Sequence, residues 1–242
     1  MPIKVKYLPK QHIEWNAQKL LAEYGGRHGE VVVPPVPVEE ILEKHLKLTL
    51  EIDNLETRLG HPDILGALWV PDKLVAIDES IEPTEHPNKE GRFRYTVGHE
   101  IGHWVQHRHY FLENPDQGLL FPKPTSKATV ICRTSQSKDP IERQADYFSA
   151  YLLMPKEMVY AAWEKHRGSM TPYIFNRAAR ENLRAMGFVE PDDLLASMAI
   201  EFVAGEIAPM FRVSAKAMQI RLEELKLVQR EGGSLFSMEG VA

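Results

Sequence analysis

The pentapeptide His99-Glu100-Ile101-Gly102-His103 constrains this chain more than any other stretch, because its chemistry works in one backbone conformation only. On an α-helix, residues i and i+4 lie one above the other, so both imidazoles can reach a single metal ion. On a strand the same two residues would stand about 13 Å apart and could not. Glu100 points off the histidine line, where it can meet a water molecule held at the site. The surrounding pattern predicts a helix from about Phe93 to His109. A catalytic zinc takes three protein ligands and keeps one position open, so a third ligand must come from elsewhere in the chain. The candidate is Glu142, near the start of a second helix expected from about Pro140 to Met154 and closed by Pro155. Asp146 lies four residues on, on the same face, placed to accept a hydrogen bond from the far nitrogen of a ligand histidine. A first-turn glutamate is also favoured by the helix dipole alone. That does not account for an aspartate inside the otherwise apolar stretch from Ala145 to Met154.

Around these two helices the pattern predicts a mixed α+β chain. Ile13, Ala17, Leu20, Leu21 and Tyr24 recur at helical spacing and stop at Gly25-Gly26. Residues 31–38 form a proline-rich connector, and 38–46 a second short helix. Leu48, Leu50 and Ile52 alternate with polar residues, as in a strand. Residues 65–70 and 73–78 are both β-like and flank Pro71-Asp72, which suits the centre of a tight turn, so a hairpin in a small antiparallel sheet is expected. That hairpin is a candidate edge for pairing with an extended substrate. Residues 112–140 contain four prolines and read as a long loop. Beyond Gly168 the chain reads as helical, with a break at Arg212-Val213. The expected division is a core over 1–168, including the N-terminal helices, and a helical part over 169–242.

Composition narrows the partners. The net charge is −5, from 29 basic and 34 acidic residues, which gives no global attraction to nucleic acid or anionic membrane. Met1 to Lys10 lacks an apolar segment, so no signal peptide is expected. Cys132 is the only cysteine, which excludes an intramolecular disulfide and an all-cysteine zinc site. A reducing, cytoplasmic setting is therefore expected. Cys132 reads first as a small packed residue and second as a regulatory thiol able to take the open zinc position. His107, four residues after His103, reads as structural, since three ligands suffice. Arg92 and Arg94 read as a solvated helix start. Tyr95, Tyr147, Tyr151, His166 and Tyr173 are each chemically able to donate to an oxyanion.

These residues resemble the ImmA/IrrE-type metallopeptidases. The likeness lies in Arg94-Tyr95-Thr96-Val97-Gly98 leading into His99–His103, and in Glu142–Asp146 continuing through Phe148-Ser149-Ala150-Tyr151-Leu152-Leu153-Met154-Pro155. It extends weakly to Phe211-Arg212-Val213-Ser214, Ala217-Met218 and Arg221-Leu222. The resemblance implies a gluzincin-like peptidase core in which Zn2+ is held by His99, His103 and Glu142, with Glu100 as base. It also implies a helix-turn-helix repressor as protein substrate, whose cleavage derepresses stress or mobile-element genes. The gap of 39 residues between His103 and Glu142 is long for this pattern and implies an insertion over the site. The alternative reading is a zinc-sensing DNA-binding regulator with a structural or regulatory metal, because residues 206–228 imitate a helix-turn-helix with Ser214 as cap. Against it, Lys216, Gln219, Arg221, Lys226 and Arg230 are offset by Glu223 and Glu224, and a structural site has no use for Glu100.

Overall fold

The structure is a computed structural model that describes residues 5–113, 130–133 and 139–231. It is a mixed α+β chain, mostly helical with a small sheet, and it divides into two compact units between Leu153 and Met154.

In the first unit, α1 (Lys10–His28) buries Ile13, Ala17, Leu20 and Tyr24 along one stripe. It runs through Gly25-Gly26 and stops only at Gly29, where φ is 109°. A short α2 (Val38–Glu40) continues as a π-turn over Ile41–His45. Then come β1 (Thr49–Asp53), α3 (Leu55–Leu59), β2 (Ile64–Trp69) and β3 (Leu74–Asp78). The expected hairpin is present, its turn closed by Lys73 N–H donating to the Val70 carbonyl at 3.3 Å. Two short 3-10 turns follow before α4 (Glu90–Glu113), β4 (Val130–Arg133) and α5 (Pro140–Leu153).

The sheet differs from the expected one in two ways. Its strand order is β1-β3-β2-β4, with β1 parallel to β3, so it is mixed rather than antiparallel. The reason is chain reversal: α3 turns the chain once and the hairpin turns it again, which returns β3 in the direction of β1. The second difference is β4, which lies within the stretch read as one long loop and pairs antiparallel with β2. β2 is therefore flanked on both sides and offers no free edge to a substrate strand, contrary to the expectation.

A register shift between Ile64 and Gly66 re-aims β2. Ile64 joins Ala67, Trp69 and Ala76 in a cluster with Leu55 and Leu59 of α3. Gly66 faces α4 instead, a placement that governs the site described below.

The second unit contains α6 (Lys156–Arg167), β5 (Tyr173–Phe175), α7 (Arg177–Ala185), α8 (Asp192–Phe211), α9 (Ala215–Glu224) and β6 (Val228–Arg230). It is not wholly helical: β5 and β6 form a two-stranded parallel sheet, Tyr173 to Phe175 matching Val228 to Arg230. Side chains that suit a pleated surface, Tyr-Ile-Phe and Val, favour this over helix. Arg212 (φ 52°) ends α8, and the Ser214 hydroxyl caps α9 by accepting from Ala217 N–H at 3.1 Å. α9 ends at Glu224, earlier than expected, because Lys226 (φ 61°) turns the chain into β6.

Two polar side chains of α9, Gln219 and Arg221, are buried. Arg221 is 2% exposed and donates to the Met154 carbonyl at 3.0 Å, and Gln219 is also 2% exposed. α8 is the one helix among the described residues long and apolar enough to cross a membrane by length and composition; 44% of its apolar window is buried.

Candidate metal centre

The site sits where α4 crosses α5, and small residues set the closeness of the crossing. Gly98 and Gly102 of α4 are four residues apart and share a face. A Cβ at Gly102 would lie 3.2 Å from the Cα and carbonyl oxygen of Ala145, and one at Gly98 would lie 2.6 Å from Ser149 Oγ. Ala145 and Ser149 are likewise four apart on α5. The Ser149 hydroxyl donates to the Tyr95 carbonyl at 2.7 Å, tying the two backbones directly. Because the backbones approach this closely, short side chains such as Glu142 and Asp146 on α5 reach the histidines of α4.

The structure brings together six of the residues singled out from the sequence: Tyr95, His99, Glu100, His103, Glu142 and Asp146. His103 Nε2 stands 2.9 Å from His99 Nε2. Glu142 presents Oε2 to His99 Nε2 at 3.1 Å and Oε1 to His103 Nε2 at 3.5 Å. Asp146 Oδ1 accepts from His99 Nδ1 at 2.9 Å, and Tyr95 Oη donates to the Asp146 backbone carbonyl at 3.2 Å. Both histidines and Glu100 are buried. Burial pushes Glu142 up, but the imidazoles of His103 and His99 outweigh it and hold the carboxyl well below the ordinary range. Burial pulls His103 down, with Glu142 opposing.

One potential ligand atom from each of His99, His103 and Glu142 lies within 4.8 Å of the other two. Donor atoms bound tetrahedrally at roughly 2.0–2.2 Å stand about 3.3 Å apart. The two imidazole nitrogens stand 2.9 Å apart and each has one of the two Glu142 oxygens within 3.5 Å, so the three side chains are close enough to share a zinc-sized ion.

Glu100 is fully buried, and neither carboxylate oxygen has a hydrogen-bond partner among the described residues. Burial raises its pKa to about 8; the charge of His99 opposes the rise and that of Glu142 adds to it. A buried acid left without partners is costly to the fold, and such groups cluster where chemistry is done.

Several contributors escaped the sequence reading. Gly66 lies under Glu100: a Cβ there would come 2.8 Å from Glu100 Oε1 and 2.7 Å from Thr96 Cγ2. A glycine inside an apolar strand was the available signal. Gly66→Ala should push the Glu100 carboxylate aside, lowering whatever hydrolysis the site performs about tenfold or more at unchanged metal content. Activity and zinc stoichiometry measured on one preparation check this, and full activity would show that the contact is slack.

Arg94 is not solvated: it is 4% exposed and its guanidinium donates to the Val36 carbonyl, tying α4 to the proline-rich connector. His107 is fully buried and faces His103 and Gln144. The oxyanion candidates separate. Tyr95 is engaged as described, Tyr147 stacks on Tyr151 and carries Lys10 over its ring, and His166 and Tyr173 belong to the second unit. Cys132 lies opposite Gly66 in the β2–β4 register; its thiol lies outside the described residues.

An α+β chain with a His-His-Glu group able to hold a metal between two helices has the outline of a metallopeptidase. The model of the IrrE N-terminal-like domain, a peptidase family, matches residues 84–223. That is more than half of the chain, and the chain belongs to this family. No curated protein matches the sequence. Among solved structures, a Mycobacterium tuberculosis transcriptional regulator is similar over 90% of this chain and 47% of its own, with 11% identity and a TM-score of 0.48. The chain thus spans about half the length of that protein.

Proposed function

We propose that the protein is a zinc-dependent endopeptidase of gluzincin type, with His99, His103 and Glu142 as metal ligands, Asp146 orienting His99, and Glu100 as general base. The observation that carries this reading is the convergence of two imidazole nitrogens and one carboxylate beside a buried carboxylate that has no hydrogen-bond partner among the described residues. When bound, the metal supplies a Lewis acid that polarises a peptide carbonyl and acidifies water. Glu100 takes a proton from water on a carboxylate oxygen and delivers it to the leaving amine. In the metal-free protein burial raises its affinity for protons, and a cation held at the neighbouring ligands would oppose that rise and return the carboxylate to the form a base needs at neutral pH. Asp146 accepts from His99 Nδ1, which would leave Nε2 free to hold the ion.

The substrate proposed is a helix-turn-helix repressor, and the setting proposed is cytoplasmic. Family membership supports a protein substrate. DNA binding by α9 is disfavoured, because two of its polar side chains, Gln219 and Arg221, are buried. The test is to mix zinc-loaded protein with repressors encoded beside its gene and to look for cleavage by intact mass. No cleavage of any of them, with denatured casein cut normally, would remove the repressor but keep the peptidase.

The ligand assignment has its own test. Glu142→Ala should lose zinc and activity together, whereas Asp146→Asn should bind zinc about 10–100-fold more weakly. Full zinc content and activity in Glu142→Ala would require a different third ligand.

A further inference from the structure

A chain of hydrogen bonds leaves the metal site on the side of His103 away from the ion. His103 Nδ1 faces His107 Nδ1 at 3.0 Å, and His107 Nε2 faces Gln144 Oε1 at 3.1 Å. Gln144 Nε2 donates to the Lys6 carbonyl at 3.0 Å, and Lys6 N–H donates to Tyr110 Oη at 3.0 Å. His103, His107 and Gln144 are all buried.

The direction of every proton in this chain follows from its far end. A backbone carbonyl can only accept, so Gln144 must turn its NH2 toward Lys6 and its oxygen toward His107. An amide oxygen can only accept, so His107 must carry its proton on Nε2. The neutral ring then has a lone pair on Nδ1, and His103 must donate to it from its own Nδ1. That leaves His103 Nε2 with a lone pair facing His99 Nε2. His99 reaches the same state by another route, since its Nδ1–H is taken by the Asp146 carboxylate. Two lone pairs 2.9 Å apart, with a carboxylate beside them, repel unless a cation stands between them.

We infer that His107 is a positioning residue for the metal ligand His103: together with Gln144 and the Lys6 carbonyl it fixes the His103 tautomer that presents Nε2 to the ion. This rests on the proposed metal site and extends it. The two ligand histidines are oriented by unlike groups, an anionic carboxylate for His99 and a neutral imidazole for His103.

The experiment uses the full chain. Zinc affinity is measured by competition with a chromophoric chelator for wild type, His107→Leu, and His109→Leu as an exposed control. His107→Leu, which keeps the volume but removes the acceptor, should weaken zinc binding about 10–100-fold, and His109→Leu should not change it. In the zinc-loaded wild type, nitrogen-15 spectra should show a proton on His103 Nδ1 with coupling across the hydrogen bond to His107 Nδ1. A folded His107→Leu variant with wild-type affinity overturns the inference and leaves the metal site standing. A wild-type chain that takes up no zinc overturns the metal site itself. Should His107→Leu not fold, the spectrum decides: a His103 proton on Nε2, or no coupling to His107, overturns the inference.

Discussion

Glu100→Gln should abolish peptidase activity, keep the metal and stabilise the metal-free fold. The loss follows from removing the base, a group worth on the order of a hundred- to ten-thousand-fold in rate. The gain follows from burial. In the metal-free protein the Glu100 carboxyl holds its proton up to about pH 8, against an ordinary carboxyl value of 4.5 in the unfolded chain. The folded state thus binds one proton more than the unfolded state between those limits. Its contribution to stability is fully present below pH 4.5 and is lost as pH rises toward 8, at about 1.4 kcal/mol per pH unit. Glutamine has no proton to lose, so this loss disappears in the variant. The variant and wild type should melt alike near pH 4.5, and the variant should melt several degrees higher near pH 8. Zinc content and activity on reloaded samples, and melting against pH on chelator-treated, metal-free samples, check the three parts. An active Glu100→Gln enzyme would assign the base elsewhere; equal melting at pH 8 would mean that the Glu100 site is wetter than its burial indicates.

Gly102→Val should have the largest structural effect. Even a single Cβ there meets Ala145 backbone at 3.2 Å, and Phe148 Cβ is equally close. Backbone cannot step aside as the end of a long side chain can, so two further methyls must push α4 from α5. The cost should be about 3 kcal/mol, and because His103 and Glu142 stand on opposite sides of the crossing, zinc affinity should fall with it. Gly102→Ala should sit between the two. Denaturant titration together with chelator competition separates the effects. A Gly102→Val protein with native stability and native zinc affinity would show that the crossing can widen without consequence for the site.

What was legible in the sequence was whatever repeats along one helix. The spacing of four places His99 above His103 and Glu142 above Asp146, and the apolar stripes of α1 and α5 read in the same way. What was not legible relates residues far apart in the chain. Nothing local says that β1 runs parallel to β3, because that depends on how α3 and the hairpin turn combine. The pairing of β5 with β6 joins three-residue segments more than fifty residues apart, too short to carry an alternation. The closeness of α4 to α5 had a readable trace, in the matched spacing of Gly98 with Gly102 and of Ala145 with Ser149. It becomes informative only once the two faces are known to meet. The partners of His107, read correctly as structural, were not legible for a related reason: it faces Gln144, which is held by the Lys6 carbonyl, and neither is its neighbour in sequence.

The mixed sheet bears on how the protein avoids sticking to itself. Since β1 lies at the end of the strand order, one side of it has no partner strand among the described residues. An open edge of this kind invites another chain to add a strand and begin aggregation. Here the strand presents Glu51 and Asp53, alternate residues on one face, and Arg58 of α3 bridges both carboxylates at 3.1 and 2.9 Å while lying over the Trp69 ring. A second copy approaching in register would bring like carboxylates together and would have to strip water from them. Charge on Glu51, Asp53 and Arg58 is thus the feature of this edge that opposes strand addition by a second copy.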